Sequence, residues 1–159
     1  MRRILIAALA GVMGFAVQSA SAADLYDRTS RPLGAAELTS IYSGHTWHWE
    51  AGAGYFGPGG EFRGWSSNDA GTLGYGIGGW SAVDDGRLCI EATWHYGGEE
   101  TVQSECFGHR QADGTVYQRV EPAGEWYLFR SQPPRPDDEV RRITPGDEVA
   151  ARIDEIRSQ

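Results

Sequence analysis

The sequence predicts an all-β fold: an antiparallel meander of about eight short strands, curled into a small lipocalin-like barrel. Three observations carry that reading. From His45 onward, side chains alternate with a period of two. Turn signals built on Gly, Pro, Asn and Asp return about every ten residues, with no helical period between them. Six Trp, seven Tyr and 22 Gly in 159 residues supply strand formers and the tight turns that separate them. Curling removes the exposed edges that a flat meander of this kind would present.

The elements follow in order. Residues 1–22 read as a signal peptide. Arg2 and Arg3 give the positive start, Ile4 to Val17 is uncharged and apolar or small, and Ala20-Ser21-Ala22 offers the small-x-small cleavage pattern. The apolar run is shorter than the roughly 20 residues a spanning helix needs. No Cys follows the cut, so no lipid anchor is expected. Arg2-Arg3 is only a fragment of a twin-arginine signal. These features predict a periplasmic or secreted protein, cleaved near Ala22 by the ordinary secretory route, with no stable membrane insertion afterwards.

The β domain is expected over 34–130. Gly34 to Tyr42 spaces Leu38, Ile41 and Tyr42 as a short N-terminal helix, which Gly44 ends. Strands follow in HTWHWE, in Gly52 to Phe56, and in EFRGW, with Phe62 facing opposite to Arg63 and Trp65. Tyr75 to Val83 sets Tyr75 and Ile77 against Trp80 and Ala82. Asp85-Gly86 marks a hairpin. Arg87 to Tyr96 alternates most clearly; after Gly97-Gly98 the chain continues through 101–110, 115–120 and 125–130. Residues 131–159 form a Pro-rich linker and charged tail. There Val149, Ile153 and Ile156 suggest a helix at 147–157, too short to be stable alone, which either docks on the barrel or frays, fraying being the favoured reading.

Cys89 and Cys106 are the only cysteines, and in an exported chain they should pair. A two-residue loop at Gly97-Gly98 makes facing positions sum to 195, which sets Cys89 opposite Cys106 in a non-hydrogen-bonded pair, within disulfide reach. The same register sets Ile90 against Glu105 and Ala92 against Gln103. That mixed face implies a bulge, or a hairpin end that projects into water.

The segments HTWHWEAGAGYF, EFRGWS, GWS with GRLCIEATWH, ECFGHR and GTVYQRVEPAGEWYLFR resemble a family of small exported bacterial proteins catalogued as domain of unknown function 995. The resemblance covers about residues 35–130. Ile90 departs from it, standing where Phe is expected after the first Cys. The resemblance implies a fold and an exported location; it implies no activity.

Charge narrows the partners. The chain has 14 basic and 22 acidic side chains, a net −8, which becomes −10 once Arg2 and Arg3 are removed. Nucleic acid and anionic membrane surfaces need a basic face, so neither is expected. A basic envelope protein or a small ligand remains as a partner.

No catalytic pattern stands out, and an enzyme is not expected. His45 and His48 point to opposite faces of one strand. A metal site of His95 with Glu99 or Glu100 would be open and loosely held, and surface or rim positions are expected for the histidines, His109 included. Asp84-Asp85 and Glu99-Glu100 are adjacent turn residues, not carboxylates facing across a cleft. Ser66 and Ser67 lack a nucleophile elbow. GYGIGG at 74–79 lacks the Lys-Ser/Thr of a phosphate loop, and its glycines read as allowing tight bending. No cofactor or metal is expected. Trp47, Trp49, Trp65, Trp80, Trp94 and Trp126 are the candidate ligand-lining residues, around a barrel mouth suited to an apolar ligand, glycan or lipid fragment. The alternative is a protein-interaction role, as inhibitor or accessory factor of an envelope enzyme.

Overall fold

Alternating side chains build one continuous sheet in a computed structural model that describes residues 29–158. The predicted signal peptide lies outside the described residues. The elements are β1 (Arg31–Pro32), α1 (Ala35–Tyr42), β2 (His45–Trp49), β3 (Gly52–Phe56), β4 (Glu61–Ser67), β5 (Leu73–Ala82), β6 (Arg87–Tyr96), β7 (Glu99–Ala112), β8 (Thr115–Val120), β9 (Tyr127–Arg130), a 3-10 turn (Glu139–Arg142), β10 (Ile143–Pro145) and α2 (Ala150–Arg157).

Strands β2 to β9 are the expected meander, each antiparallel to the next. The sheet gains two short strands outside 34–130. β10 pairs with β2, and β1 pairs with β7 where β6 has ended. The ten strands curl into a half-barrel whose edge strands, β9 and β10, do not pair with each other.

The β6–β7 hairpin keeps the register read from the sequence. Tyr96 faces Glu99, Trp94 faces Thr101 and Cys89 faces Cys106, without a bulge. Gly97 and Gly98 both adopt positive φ, 57° and 91°, as a two-residue turn of this hand requires. Cys89 and Cys106 form the disulfide, with Cα atoms 4.0 Å apart. Side-chain alternation puts the bridge on the outer face, since Leu88 and Ala92 are buried inside.

Helix α1 plugs one end of the concave face. Leu38 and Tyr42 are fully buried and join Phe56, Leu88, Phe107, Val116 and Phe129 in the main core. The Tyr42 ring meets those of Trp47, Phe56 and Phe129 at 6.0, 5.1 and 6.2 Å. The Ala35 N–H donates to Asp84 Oδ1 at 2.9 Å, tying the helix start to the β5–β6 turn.

The C-terminal tail docks where fraying was expected. The buried Asp138 carboxylate accepts from Ser131 Oγ at 2.6 Å and from the Arg135 N–H at 3.0 Å, which folds the Pro-rich segment back. Beyond β10 the chain passes to the outer face, where Val149 and Ile153 of α2 bury against Ala53, Tyr55, Trp65 and Tyr75. Arg152 lies over the Trp65 ring at 5.5 Å and Arg157 over Tyr75 at 4.9 Å. The helix period was legible; the apolar patch on the outer sheet face that it covers was not.

Candidate functional site

The concave face is filled at the α1 end and open at the other. Its open part is a cavity of about 360 Å³. Cross-strand pairing explains how the rings that line it are seated. One inward-facing row runs Trp47, Gly54, Gly64, Gly76, Trp94 across five strands. Its three middle positions have no side chain. A Cβ at Gly76 would come within 2.7 Å of the Trp94 ring, and one at Gly54 within 2.6 Å of Phe62. These glycines receive rings against the backbone, a role beyond the bending read from the sequence.

Trp47, Trp49 and Trp94 form the aromatic part of the wall, with Phe62 and Phe107 behind them. Trp47 is edge-on to Trp49 at 6.3 Å and to Phe107 at 4.9 Å. The other three candidate tryptophans lie elsewhere. Trp65 faces outward beneath α2, because position 65 has the opposite parity to Phe62 on its strand. Trp80 turns inward but is spent on the core; its Nε1–H donates to the Gly57 carbonyl at 2.8 Å and its ring sits edge-on to Phe56. Trp126 packs under the Arg119 guanidinium at 4.6 Å, away from the cavity.

The polar part of the wall is Gln103, Glu105, Tyr127 and Glu139. Gln103 and Glu105 are the residues whose inward register looked anomalous. No bulge intervenes; the hairpin end projects into water as the other reading had it, residues 99–105 being exposed, and these two lie on the face that opens to the cleft. Desolvation pushes the Glu105 carboxyl above its usual range. Glu139 comes from the 3-10 turn of the tail and accepts the Trp47 indole N–H at 3.1 Å. Tyr127 is 37% exposed as a residue, but its hydroxyl donates to Gln118 Oε1. Burial, with the charges of Glu139 and Glu105, pushes that hydroxyl up to about 12.

Behind Tyr127 lies a buried polar chain. Gln118 Nε2 donates to the Tyr42 hydroxyl at 2.9 Å, and both groups reach His109 Nε2, at 2.8 and 2.9 Å. His109 Nδ1 faces the carbonyls of Phe107 and Gly86 at 3.1 and 3.3 Å. A carbonyl only accepts, so Nδ1 carries the proton and Nε2 receives the Tyr42 hydroxyl. Burial lowers the His109 pKa to about 4, and the ring is neutral at pH 7. His109 is thus a core residue, not the rim histidine expected. The Gly86 carbonyl accepts the His109 backbone N–H at 2.7 Å and holds the ring's strand beyond the end of β6.

The other histidines are at or near the surface. His95 stacks on Tyr75 at 4.6 Å and meets Glu100 at 3.2 Å. His48 meets Glu148 at 3.0 Å. Among the described residues no three His, Cys, Asp or Glu side chains group to hold a metal. The cleft can bury a flat or apolar body against indoles and accept hydrogen bonds from its polar end.

Sequence reasoning missed Glu105, Glu139 and Tyr127 as cleft residues. The inward register of Glu105 was the available signal. Nothing local marks Glu139, because the tail's return brings it there.

Comparisons with known proteins bear on the family of the chain. Those with curated proteins and with solved structures each returned no significant match. The description "protein of unknown function (DUF995)" matches residues 7–149, which takes in β10 and much of the tail as well as the segment 35–130 that carried the resemblance. The chain belongs to the DUF995 family.

Proposed function

We propose that the protein is an exported binding module, and that the concave cleft takes a small ligand with an apolar or flat ring face. The cleft itself carries the reading. A concave, mainly apolar cavity with a few convergent polar groups is the usual form of a small-molecule site. Here three indoles face open space, and the glycines of neighbouring strands let the Phe62 and Trp94 rings seat close against the backbone beside it. A protein that used its aromatics only as core would have closed that space, as it does at the α1 end.

The exported location is supported by the charge, length and cleavage pattern of residues 1–22 and by the disulfide, which persists in oxidising compartments. The acidic balance agrees with a role away from nucleic acid and anionic lipid.

Native mass spectrometry of the protein isolated from its own host tests this reading. The wild type is expected to carry a small-molecule adduct that is lost in Trp94→Ala. A bare wild-type mass, or an adduct retained in that variant, contradicts it.

A further inference from the structure

The cleft's polar lining has one sign. Glu105 and Glu139 contribute carboxylates, Gln103 and Tyr127 are neutral, and among the described residues no Lys, Arg or His lines the cavity. The two acids are not equivalent. Glu139 is already engaged, by Trp47 at 3.1 Å and by Arg142 at 3.4 Å. Glu105 has no hydrogen bond or ion pair among the described residues, and its raised pKa has burial as its only cause. The aromatic rings divide in the same way. Arginines lie over Tyr55, Trp65, Tyr75 and Trp126, outside the cleft. Among the described residues no cation lies over Trp47, Trp49 or Trp94.

We propose that the ligand is an organic cation, a primary or quaternary amine on an apolar body. Its charged head sits beside Glu105 and its body lies against Trp47, Trp49 and Trp94. The proposal rests on the reading of the cleft as a binding site and adds the sign of the ligand's charge. An indole face attracts a cation through its quadrupole, most strongly where water is excluded. An unpaired carboxylate at the rim supplies the counter-charge. The net negative charge of the chain draws cations toward it. An anionic ligand would meet two carboxylates, the neighbouring Arg142 being already paired with Glu139, and a neutral one would leave Glu105 without a counter-charge.

Three probes with one apolar body separate these cases: 4-phenylbutylammonium, 4-phenylbutanol and 4-phenylbutyrate. Each is titrated into the signal-free chain while the indole N–H resonances are followed by NMR. The ammonium is expected to bind about tenfold more tightly than the alcohol, and the carboxylate not to bind. Glu105→Gln should bring the ammonium down to the affinity of the alcohol and leave the alcohol unchanged. Glu105 is exposed to solvent on an intact hairpin, so this variant should keep the wild-type spectrum. Equal binding of ammonium and alcohol overturns the proposal and leaves the binding cleft standing, as does a preference that survives Glu105→Gln. No indole shift with any probe overturns both.

Discussion

Trp47 and Trp94 stand at the two ends of one cross-strand row, separated by three strands that each contribute a glycine to it. Rings cover that backbone: Phe62 lies over Gly54 and Gly64, and Trp94 over Gly76. The relationship shapes the cleft wall, because the glycines let these rings pack close, and Trp47, Trp94 and Phe62 then line the cavity together.

The glycine positions make a graded prediction. A Cβ at Gly76 meets the Trp94 ring at 2.7 Å, whereas one at Gly78 meets the Glu91 carbonyl at 1.9 Å. A half-buried ring can move; a paired strand cannot. Gly76→Ala should cost about 1 kcal/mol and shift the Trp94 indole resonance, while Gly78→Ala should cost about 3 kcal/mol or more. Urea unfolding of the two variants checks the order; equal losses contradict it.

His109 predicts a pH dependence. Its folded pKa is about 4, below the usual 6.5, because burial disfavours the cation. The unfolded chain therefore binds this proton more readily. The stability it contributes is complete above about pH 6.5 and is lost as the pH falls toward 4. The loss is about 3 kcal/mol. A ring whose carbon-bound proton shifts stay constant between pH 7 and 5 agrees with this, as does a shallower stability slope over that range in His109→Gln. Titration of the wild-type ring near 6.5 rules it out.

The disulfide closes a sequence separation of 17 residues. Reduction, or Cys89→Ser with Cys106→Ser, should lower stability by about 3 kcal/mol without changing the strand pairing. Thermal unfolding of oxidised and reduced protein measures it; identical midpoints contradict a stabilising bridge.

The tail is structural. Removing residues 143–159 strips β10 from β2 and uncovers Ala53, Trp65 and Tyr75. The truncated chain should lose cooperative unfolding or associate through the bared β2 edge. Ile153→Ala, milder, should cost about 2–3 kcal/mol. A truncated chain that unfolds with the wild-type midpoint contradicts the docking.

Much of this fold was legible in order and register. Period-two patterning gave β2 to β9, and the Gly97-Gly98 turn gave every pairing of the β6–β7 hairpin, the disulfide included. What escaped depended on long-range return of the chain. β10, Asp138 and Glu139 take their places from contacts with β2, Ser131 and Trp47, and no periodic pattern encodes these. The tryptophans show the same limit. Their number marked an aromatic interior, yet only Trp47, Trp49 and Trp94 reach the cleft; strand parity sends Trp65 outward, and Phe56 and Arg119 claim Trp80 and Trp126. Glu105 was visible as an inward acid on an apolar face. The mixed face pointed to a bulge or to a hairpin end in water; the hairpin end is exposed, and Glu105 stands where it meets the cleft.

Nuclear Overhauser contacts between bound 4-phenylbutylammonium and the assigned indoles test the account most directly. The account predicts contacts from the phenyl ring to Trp47 and Trp94, and from the methylene beside the ammonium to the Glu105 side chain. Contacts confined to Trp65, Trp80 or Trp126 would contradict it.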